Sequence, residues 1–262
     1  MPTTLIEPTV GKLIRDWRTR RHLSQMALAN DAAVSTRYLS FIETGRARPS
    51  REMVLHLAEE LQVPLRERNG LLMAAGFAPF FPRHSLEDEE MAPVRHALDH
   101  FLEAHLPYPA AAVDRHWNLV VANEGIDRLT EGVSPRLLEP PTNLIRIALH
   151  PDGMAPRILN FAEWSGYLID QVSRQAALTG DSELQELIDE FTQYPGVSAE
   201  RHIDGSEPVL MHRLLLAGEN LSFFSTLTTF GTAVDITLSE LTLEAFYPAD
   251  AKTKEFLVGA SS

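Results

Sequence analysis

The stretch LSQMALANDAAVSTRYLSFIETGRARP, residues 23–49, decides the fold of the N-terminal part of the chain. Ser24 and Ser35 are placed to cap two short helices, because a serine hydroxyl accepts a hydrogen bond from a backbone N–H of the first helical turn. Residues 30–34 form the turn between them, and Gly45 is a favourable C-terminal stop. The pattern predicts a helix-turn-helix, whose second helix can present its N-terminal residues to the edges of nucleic-acid bases.

The flanking sequence supplies three further helices. Apolar residues at helical spacing predict a first helix over residues 9–21, and Ser50 is placed to cap a fourth that ends before Pro64. A fifth helix is predicted over residues 65–75, closed by Gly76. Five short helices around one core make an all-α domain of about 75 residues, which is large enough to fold alone.

The charge of the chain is divided unevenly. Residues 1–84 hold 12 basic and 8 acidic residues, net +4, whereas residues 85–262 hold 11 and 28, net −17, which together make the −13 of the whole chain. This asymmetry indicates two domains with different partners. The basic part can meet phosphate, and the acidic part should stay away from DNA.

Composition excludes several classes of protein. The absence of cysteine excludes disulfides, thiol catalysis and every cysteine-based zinc or iron–sulfur site. Neither a secretory signal nor an apolar run of membrane-spanning length is present, so we expect a soluble, cytoplasmic protein that spans no membrane. The sequence lacks a G-x-S-x-G elbow, a P-loop and a G-x-G-x-x-G loop, and we expect no enzyme and no cofactor.

In the second half of the chain, the spacing of the apolar residues changes several times between helical and strand-like patterns. A proline-containing and then acidic linker precedes a helix over residues 91–105, and residues 107–122 predict a strand, a turn and a strand. Apolar stripes predict two helices in the middle of this half. Alternating apolar and polar residues then predict three antiparallel strands. The first covers residues 209–216, the second follows a turn at residues 218–220, and the third covers residues 241–247. The pattern is that of an α+β domain with an antiparallel sheet.

Two resemblances cover nearly the whole chain. Residues 23–64, with Ser24-Gln25, Val34-Ser35 and the Ile42 to Pro49 segment in register, resemble the Xre-type, lambda-repressor-like DNA-binding domain. The segments PAAAVDRHWNLVVAN, NLIRIALHPDGMAPRILNFAEW and LTTFGTAVDITLSELTLEAFYPADAKT resemble the MmyB-like regulator ligand-binding domain, which implies a PAS-like fold. We therefore expect a DNA-binding domain over 1–78, a linker over 79–92 and a ligand-binding domain over 93–262.

The helix-turn-helix suggests specific roles in DNA binding. Thr36 and Arg37 are the expected base readers, because arginine fits guanine bidentately and a threonine methyl can pack on thymine. Phe41 is either an apolar reader or a partly buried core residue. In the family pattern, a glutamine such as Gln25 contacts phosphate or supports the reading helix. The full expected DNA-binding set is Gln25, Ser35, Thr36, Arg37, Ser40, Phe41, Arg46 and Arg48, the last two on phosphate.

The second resemblance implies a pocket for an apolar small molecule, with a fatty acid as the family's model ligand. Arg146, flanked by two isoleucines, could pair with a ligand carboxylate, although an internal salt bridge to Asp235 or Glu240 is the simpler interpretation. Each pocket candidate could equally be an ordinary core residue. The candidates are Trp117, Leu119, Val121, Ile145, Arg146, Phe161, Trp164, Phe223, Leu227 and Phe246.

Two alternatives stay open at this point. The C-terminal domain could serve only dimerisation or protein docking, since a two-fold dimer on a pseudo-palindromic operator is the natural form of a helix-turn-helix protein. His96 and His100, spaced i and i+4, could hold a metal ion, but no third ligand is evident and a solvated pair is the simpler interpretation.

Overall fold

The structure is a computed structural model that describes residues 8–198 and 208–259. The chain divides into two compact units, and the main body of the first ends at Arg83. The first is all-helical: α1 (Val10–Arg20), α2 (Gln25–Asp31), α3 (Thr36–Glu43), α4 (Arg51–Glu60) and α5 (Leu65–Ala74). All five predicted helices are present, each within about two residues of its expected bounds.

Serine caps start three of these helices, as predicted. The hydroxyl oxygens of Ser24, Ser35 and Ser50 accept hydrogen bonds from backbone N–H groups three residues further on, at 3.0–3.2 Å. Each bond satisfies an N–H that has no partner within its helix. The five helices share one buried core, whose fully enclosed members include Ile14, Leu28, Leu39, Leu57 and Leu72.

The segment after α5 stays attached to the helical unit for several residues beyond Gly76. The side-chain oxygen of Asn69 accepts from the backbone N–H groups of Phe80 and Phe81, and its amide nitrogen donates to the Phe81 carbonyl. The first residues of the predicted linker are therefore hydrogen-bonded to α5, and the boundary at 78 stays a prediction.

The second unit contains a five-stranded antiparallel sheet with helices, which confirms the predicted fold class. In chain order its described elements are α6 (Ala92–His105), β1 (Ala110–Val113), β2 (Leu119–Ala122), α7 (Glu124–Thr130), α8 (Leu144–Leu149), α9 (Phe161–Thr179), α10 (Ser182–Phe191), β3 (His212–Leu216), β4 (Glu219–Thr229), α11 (Ile236–Ser239), β5 (Thr242–Pro248) and α12 (Ala251–Gly259). The strands lie in the order β2-β1-β5-β4-β3.

Two predicted strand boundaries were wrong. Strand β3 begins at His212 rather than at residue 209, and β4 begins at Glu219, so the turn is Ala217-Gly218 instead of residues 218–220. Both turn residues have positive φ, +49° for Ala217 and +81° for Gly218, which is the geometry of a tight two-residue hairpin.

The sheet has two differently covered faces. Its outer face packs against α6 through Leu98 and Leu102, which contact Ala112, Leu243 and Ala245. Its inner face packs against the other helices in the main core of this unit. The alternation of side chains along each strand therefore decides which residues can reach the interior between the inner face and the helices.

A bulge in β2 reverses the expected facing of Val121. Leu119 pairs with Val113 and Val121 with the adjacent Ala112, so Val120 is an extra residue on this strand. Because an extra residue shifts the alternation by one, Leu119 faces inward whereas Val121 packs with the outer-face cluster.

Candidate functional site

The exposed start of α3 is the first candidate site. Thr36 and Arg37 follow the Ser35 cap directly, and both are exposed. The guanidinium carbon of Arg37 lies 5.3 Å from the centre of the Phe41 ring, one turn further along the helix. This stacking holds the arginine along the exposed face of α3. Phe41 itself is half-buried, as is Ser40, so both reach the surface of this face only in part.

The loop after α3 carries the two predicted phosphate contacts. Gly45, with φ of +72°, ends the helix in the left-handed conformation that glycine adopts readily. The backbone N–H groups of Arg46 and Ala47 both donate to the Phe41 carbonyl. Arg46 and Arg48 are exposed on this anchored loop. Their role in phosphate binding stays a prediction, as do the roles of the other candidate DNA-binding residues.

A buried carboxylate fixes the position of α3. Glu43 is the last residue of α3, and its carboxylate accepts from Arg18 Nε at 2.7 Å and from Arg18 Nη2 at 3.0 Å. The side-chain amide of Gln25 donates to the same carboxylate at 2.7 Å. The hydrogen bond to Glu43 raises the pKa of Arg18 above its ordinary value. Gln25 on α2 is therefore hydrogen-bonded to the end of α3.

The backbone of α1 also passes very close to the end of α3. A Cβ added at Gly11 would lie 2.1 Å from the carbonyl oxygen of Ile42, far inside van der Waals contact. Only glycine allows α1 to pass the end of α3 at this distance. Neither Glu43 nor Gly11 was identified as a key position from sequence, although Glu43 lies within the matched motif.

The second candidate site is a cavity between the inner face of the sheet and helices α7, α8 and α9. It has a volume of about 60 Å³. Its lining is mostly apolar and comprises Trp117, Ile126, Leu129, Thr130, Leu144, Ile145, Ile147, Ala148, Met154, Trp164, Leu168, His212, Glu244 and Phe246.

Four of the ten predicted pocket residues line this cavity, namely Trp117, Ile145, Trp164 and Phe246. Leu119, Phe161 and Phe223 pack in the surrounding core, and Leu227 is 43% exposed. Val121 lies on the other face of the sheet for the reason given above.

Arg146 does not line the cavity, and its predicted internal partners were wrong. Its Nε and Nη2 atoms donate to Glu190 on α10, at 2.6 and 2.7 Å, rather than to Asp235 or Glu240. Tyr194 donates a short hydrogen bond to the same carboxylate. The pairing with Glu190 lowers the pKa of that carboxyl and raises the pKa of Arg146.

The cavity contains two titratable side chains that the sequence reading missed. His212 is 4% exposed and stacks parallel to Trp164, with ring centres 4.3 Å apart. Neither of its ring nitrogens has a hydrogen-bond partner within the described residues, and the same holds for the indole nitrogen of Trp164. Burial lowers the pKa of His212 to about 3, so the ring is neutral at physiological pH.

Glu244 occupies the middle of β5, between the outward-facing Leu243 and Ala245. Burial raises the pKa of its carboxyl to about 7, against an opposing hydrogen bond from Ser225. The alternation along β5 and β3 could have revealed both residues, because Glu244 and His212 fall on positions that face inward. The two ring nitrogens of His212 cost free energy because they are buried without a hydrogen-bond partner among the described residues.

A third cluster of titratable groups has the geometry of ion pairs. Nε2 of His116 lies 2.9 Å from Asp181, and its Nδ1 lies 3.4 Å from Glu183, so the two carboxylates meet different edges of the ring. One ligand atom from each of His116, Asp181 and Glu183 lies within 4.8 Å of the other two, so the same cluster could hold a metal ion. Arg115 already contacts Asp181 at 3.3 Å. The predicted alternative pair, His96 and His100, is exposed on α6.

Comparison with known families identifies both domains. A family model described as MmyB-like transcription regulator ligand binding domain matches residues 94–258, more than half of the chain. A second model, described as a helix-turn-helix domain, matches residues 9–71. A search of curated proteins finds no match. No helix in the described ranges is both long enough and apolar enough to cross a membrane.

Proposed function

We propose that this chain, which belongs to the family of MmyB-like transcription regulators, is a sequence-specific DNA-binding regulator whose C-terminal domain binds an apolar small molecule. The helix-turn-helix and the ligand-binding domain together support a DNA-binding transcription regulator. Both matched families are regulatory domains rather than enzymes.

DNA recognition is assigned to the exposed face of α3. Thr36 and Arg37 lie at the start of this helix, which is the part that reaches base edges when a recognition helix enters the major groove. Arg37 can bind the O6 and N7 atoms of guanine, and Thr36 can contact a thymine methyl group. Arg46 and Arg48 on the following loop then meet phosphate and set the register.

The observation that carries the sensing role is the apolar cavity between the sheet and the helices. A domain that served only dimerisation or docking would gain nothing from an interior void, because an unfilled cavity costs packing free energy. A bound ligand would fill the void and offset this cost, which favours sensing over the simpler dimerisation role.

Ligand binding is proposed to act on DNA binding through a homodimer. One helix-turn-helix reads about half of a pseudo-palindromic operator, so two copies are needed for a full site. A ligand that favours one arrangement of the two copies would change DNA affinity, with a coupling typically worth about 1–3 kcal/mol.

Binding-site selection tests this proposal. The purified full chain is incubated with random-sequence duplexes, with and without a lipid extract, and native mass spectrometry of the same sample records any retained small molecule. We expect an enriched pseudo-palindrome, a retained apolar molecule and a change in affinity on adding the extract. If no sequence is enriched among the bound duplexes, the DNA-reading role is contradicted. If the C-terminal domain retains no small molecule under any condition, the dimerisation role is favoured.

A further inference from the structure

The described wall of the cavity in the second unit contains a carboxyl group and a neutral imidazole but no lysine or arginine. The carboxyl group is that of Glu244, and the imidazole is that of His212. We propose that the ligand of this cavity is a small apolar amine, bound as its ammonium ion to the Glu244 carboxylate. This inference rests on the proposed sensing function and adds the chemical class of the ligand.

Charge selects against an acidic ligand at this place. A ligand carboxylate would lie near Glu244 and would find no cation in the cavity wall, so its burial would go uncompensated. Arg146, on the neighbouring helix α8, is held by Glu190 through two hydrogen bonds and by its contact with the Tyr194 network. His212 is neutral at physiological pH and supplies no positive charge.

An ammonium ion, in contrast, finds partners of two kinds. Its N–H groups can donate to the Glu244 carboxylate, which makes a charge-assisted hydrogen bond in a largely apolar environment. Trp117, Trp164 and Phe246 line the same cavity, and the faces of such rings attract cations. Uncharged His212, stacked on Trp164, lies in the same wall and does not oppose the cation.

The volume of the cavity limits the size of the ligand. An apolar protein cavity of about 150 Å³ holds one benzene molecule, so a cavity of about 60 Å³ suits a ligand smaller than benzene, with fewer than six non-hydrogen atoms. A four-carbon alkylamine has five non-hydrogen atoms. The apolar remainder of such a molecule would pack against the isoleucine and leucine side chains of the wall.

Three probes of equal size separate the charge classes: butylamine, 1-butanol and propionate each have five non-hydrogen atoms. Binding of each to the full chain is measured by calorimetry and by thermal denaturation at pH 8, above the pKa of Glu244. At this pH the amine is protonated, because alkylamines of the lysine type have a pKa of about 10. We expect butylamine to bind most tightly, 1-butanol more weakly and propionate weakest.

The variant Glu244→Gln tests whether the carboxylate is responsible. We expect it to weaken butylamine binding by about ten- to a hundredfold, as the loss of a charged hydrogen-bond partner does, and to leave 1-butanol binding within about threefold. Glu186→Gln, at an exposed position of α10, is the matched control and should change neither.

The outcomes distinguish this inference from the proposed function. Binding of propionate as tight as that of butylamine, or butylamine binding unchanged in Glu244→Gln, overturns the amine assignment and leaves an apolar-ligand sensor in place. Failure of all three probes to bind the wild-type chain also overturns the amine assignment, whereas the sensing function is tested separately by the native mass spectrometry described above. If Glu244→Gln does not fold, comparison of the three probes on the wild-type protein alone still decides the order of affinities.

Discussion

The carboxylate of Glu43, at the end of α3, accepts two hydrogen bonds from the guanidinium of Arg18 on α1, at 2.7 and 3.0 Å. This pair joins the recognition helix to the first helix of the domain, and Gln25 joins it to the second. The C-terminal end of the helix that is proposed to read DNA is thus hydrogen-bonded to the two preceding helices, while its start at Thr36 and Arg37 is exposed.

Removing the charge of Glu43 should destabilise the helical domain. The Glu43→Gln variant leaves Arg18 largely buried without its ion-pair partner, a change that costs roughly 3 kcal/mol for pairs of this kind. Urea denaturation followed by circular dichroism measures the loss. Glu60→Gln, at an exposed position of α4, serves as control and should stay within about 0.5 kcal/mol of wild type. Equal midpoints for the two variants would contradict the role of the network.

The approach of α1 to α3 predicts opposite effects for two glycine substitutions. Gly11→Ala places a methyl group 2.1 Å from the Ile42 carbonyl oxygen and should destabilise the domain by about 1–3 kcal/mol. Gly70→Ala, within α5 and with no atom within 4 Å of the added Cβ, should stabilise by about 0.5–1 kcal/mol. Thermal denaturation of both variants checks the prediction, and the same sign for both would refute the close packing.

Arg37→Ala should weaken specific DNA binding by about 1–3 kcal/mol without changing the fold, because Arg37 is exposed and its guanidinium packs only over the Phe41 ring among the contacts seen in the described residues. Fluorescence anisotropy on the selected duplex measures the affinity, and circular dichroism checks the fold. Arg174→Ala, which removes a surface arginine of α9, is the control and should bind DNA as wild type does. An unchanged footprint with Arg37→Ala would exclude this residue as a base reader.

The unpaired imidazole of His212 predicts that an aromatic replacement is stabilising. His212→Phe removes two buried nitrogens without partners and keeps a ring against Trp164, so we expect a gain of about 1–3 kcal/mol. The pKa of His212 is about 3 in the folded chain and 6.5 in the unfolded chain, so the unfolded state binds a proton first as the pH falls. The wild-type chain therefore loses stability between pH 6.5 and 3, and the advantage of the variant should grow across that window.

Denaturant unfolding at pH 8, 6 and 4.5 measures this difference. His100→Phe, at an exposed position of α6, is the control and should show no such trend. A His212→Phe variant whose advantage is constant across these values would show that the imidazole has a proton-accepting environment in the folded state.

The helical domain could be predicted closely because its signals are local. Serine caps, helical spacing and the Gly45 stop each act within one helix, and all appear in the structure. The role of Glu43 could not be predicted in the same way. Its burial depends on Arg18, 25 residues earlier in the chain, and an acidic residue at the end of a helix is ordinarily expected in solvent.

The sheet domain was harder to predict in detail because its contacts are non-local. The extra residue Val120 reverses the facing of Val121, and no local signal marks that bulge. Arg146 was expected to find its internal partner near residue 240, but the fold brings Glu190 beside it instead. The fold class depends on alternation alone and was therefore predictable, whereas the identity of the cavity wall depends on which helices cover the inner face.

A small molecule in the cavity is proposed to change how tightly the chain binds DNA. The most direct measurement is the affinity for the selected duplex, with and without a small-molecule extract of the producing cells, for wild type and for Ala148→Leu, which adds side-chain volume to the cavity wall. The account predicts a shift of about 5- to 150-fold for wild type and a much smaller one for the filled variant. Equal affinities with and without extract, or equal shifts in both proteins, would contradict it.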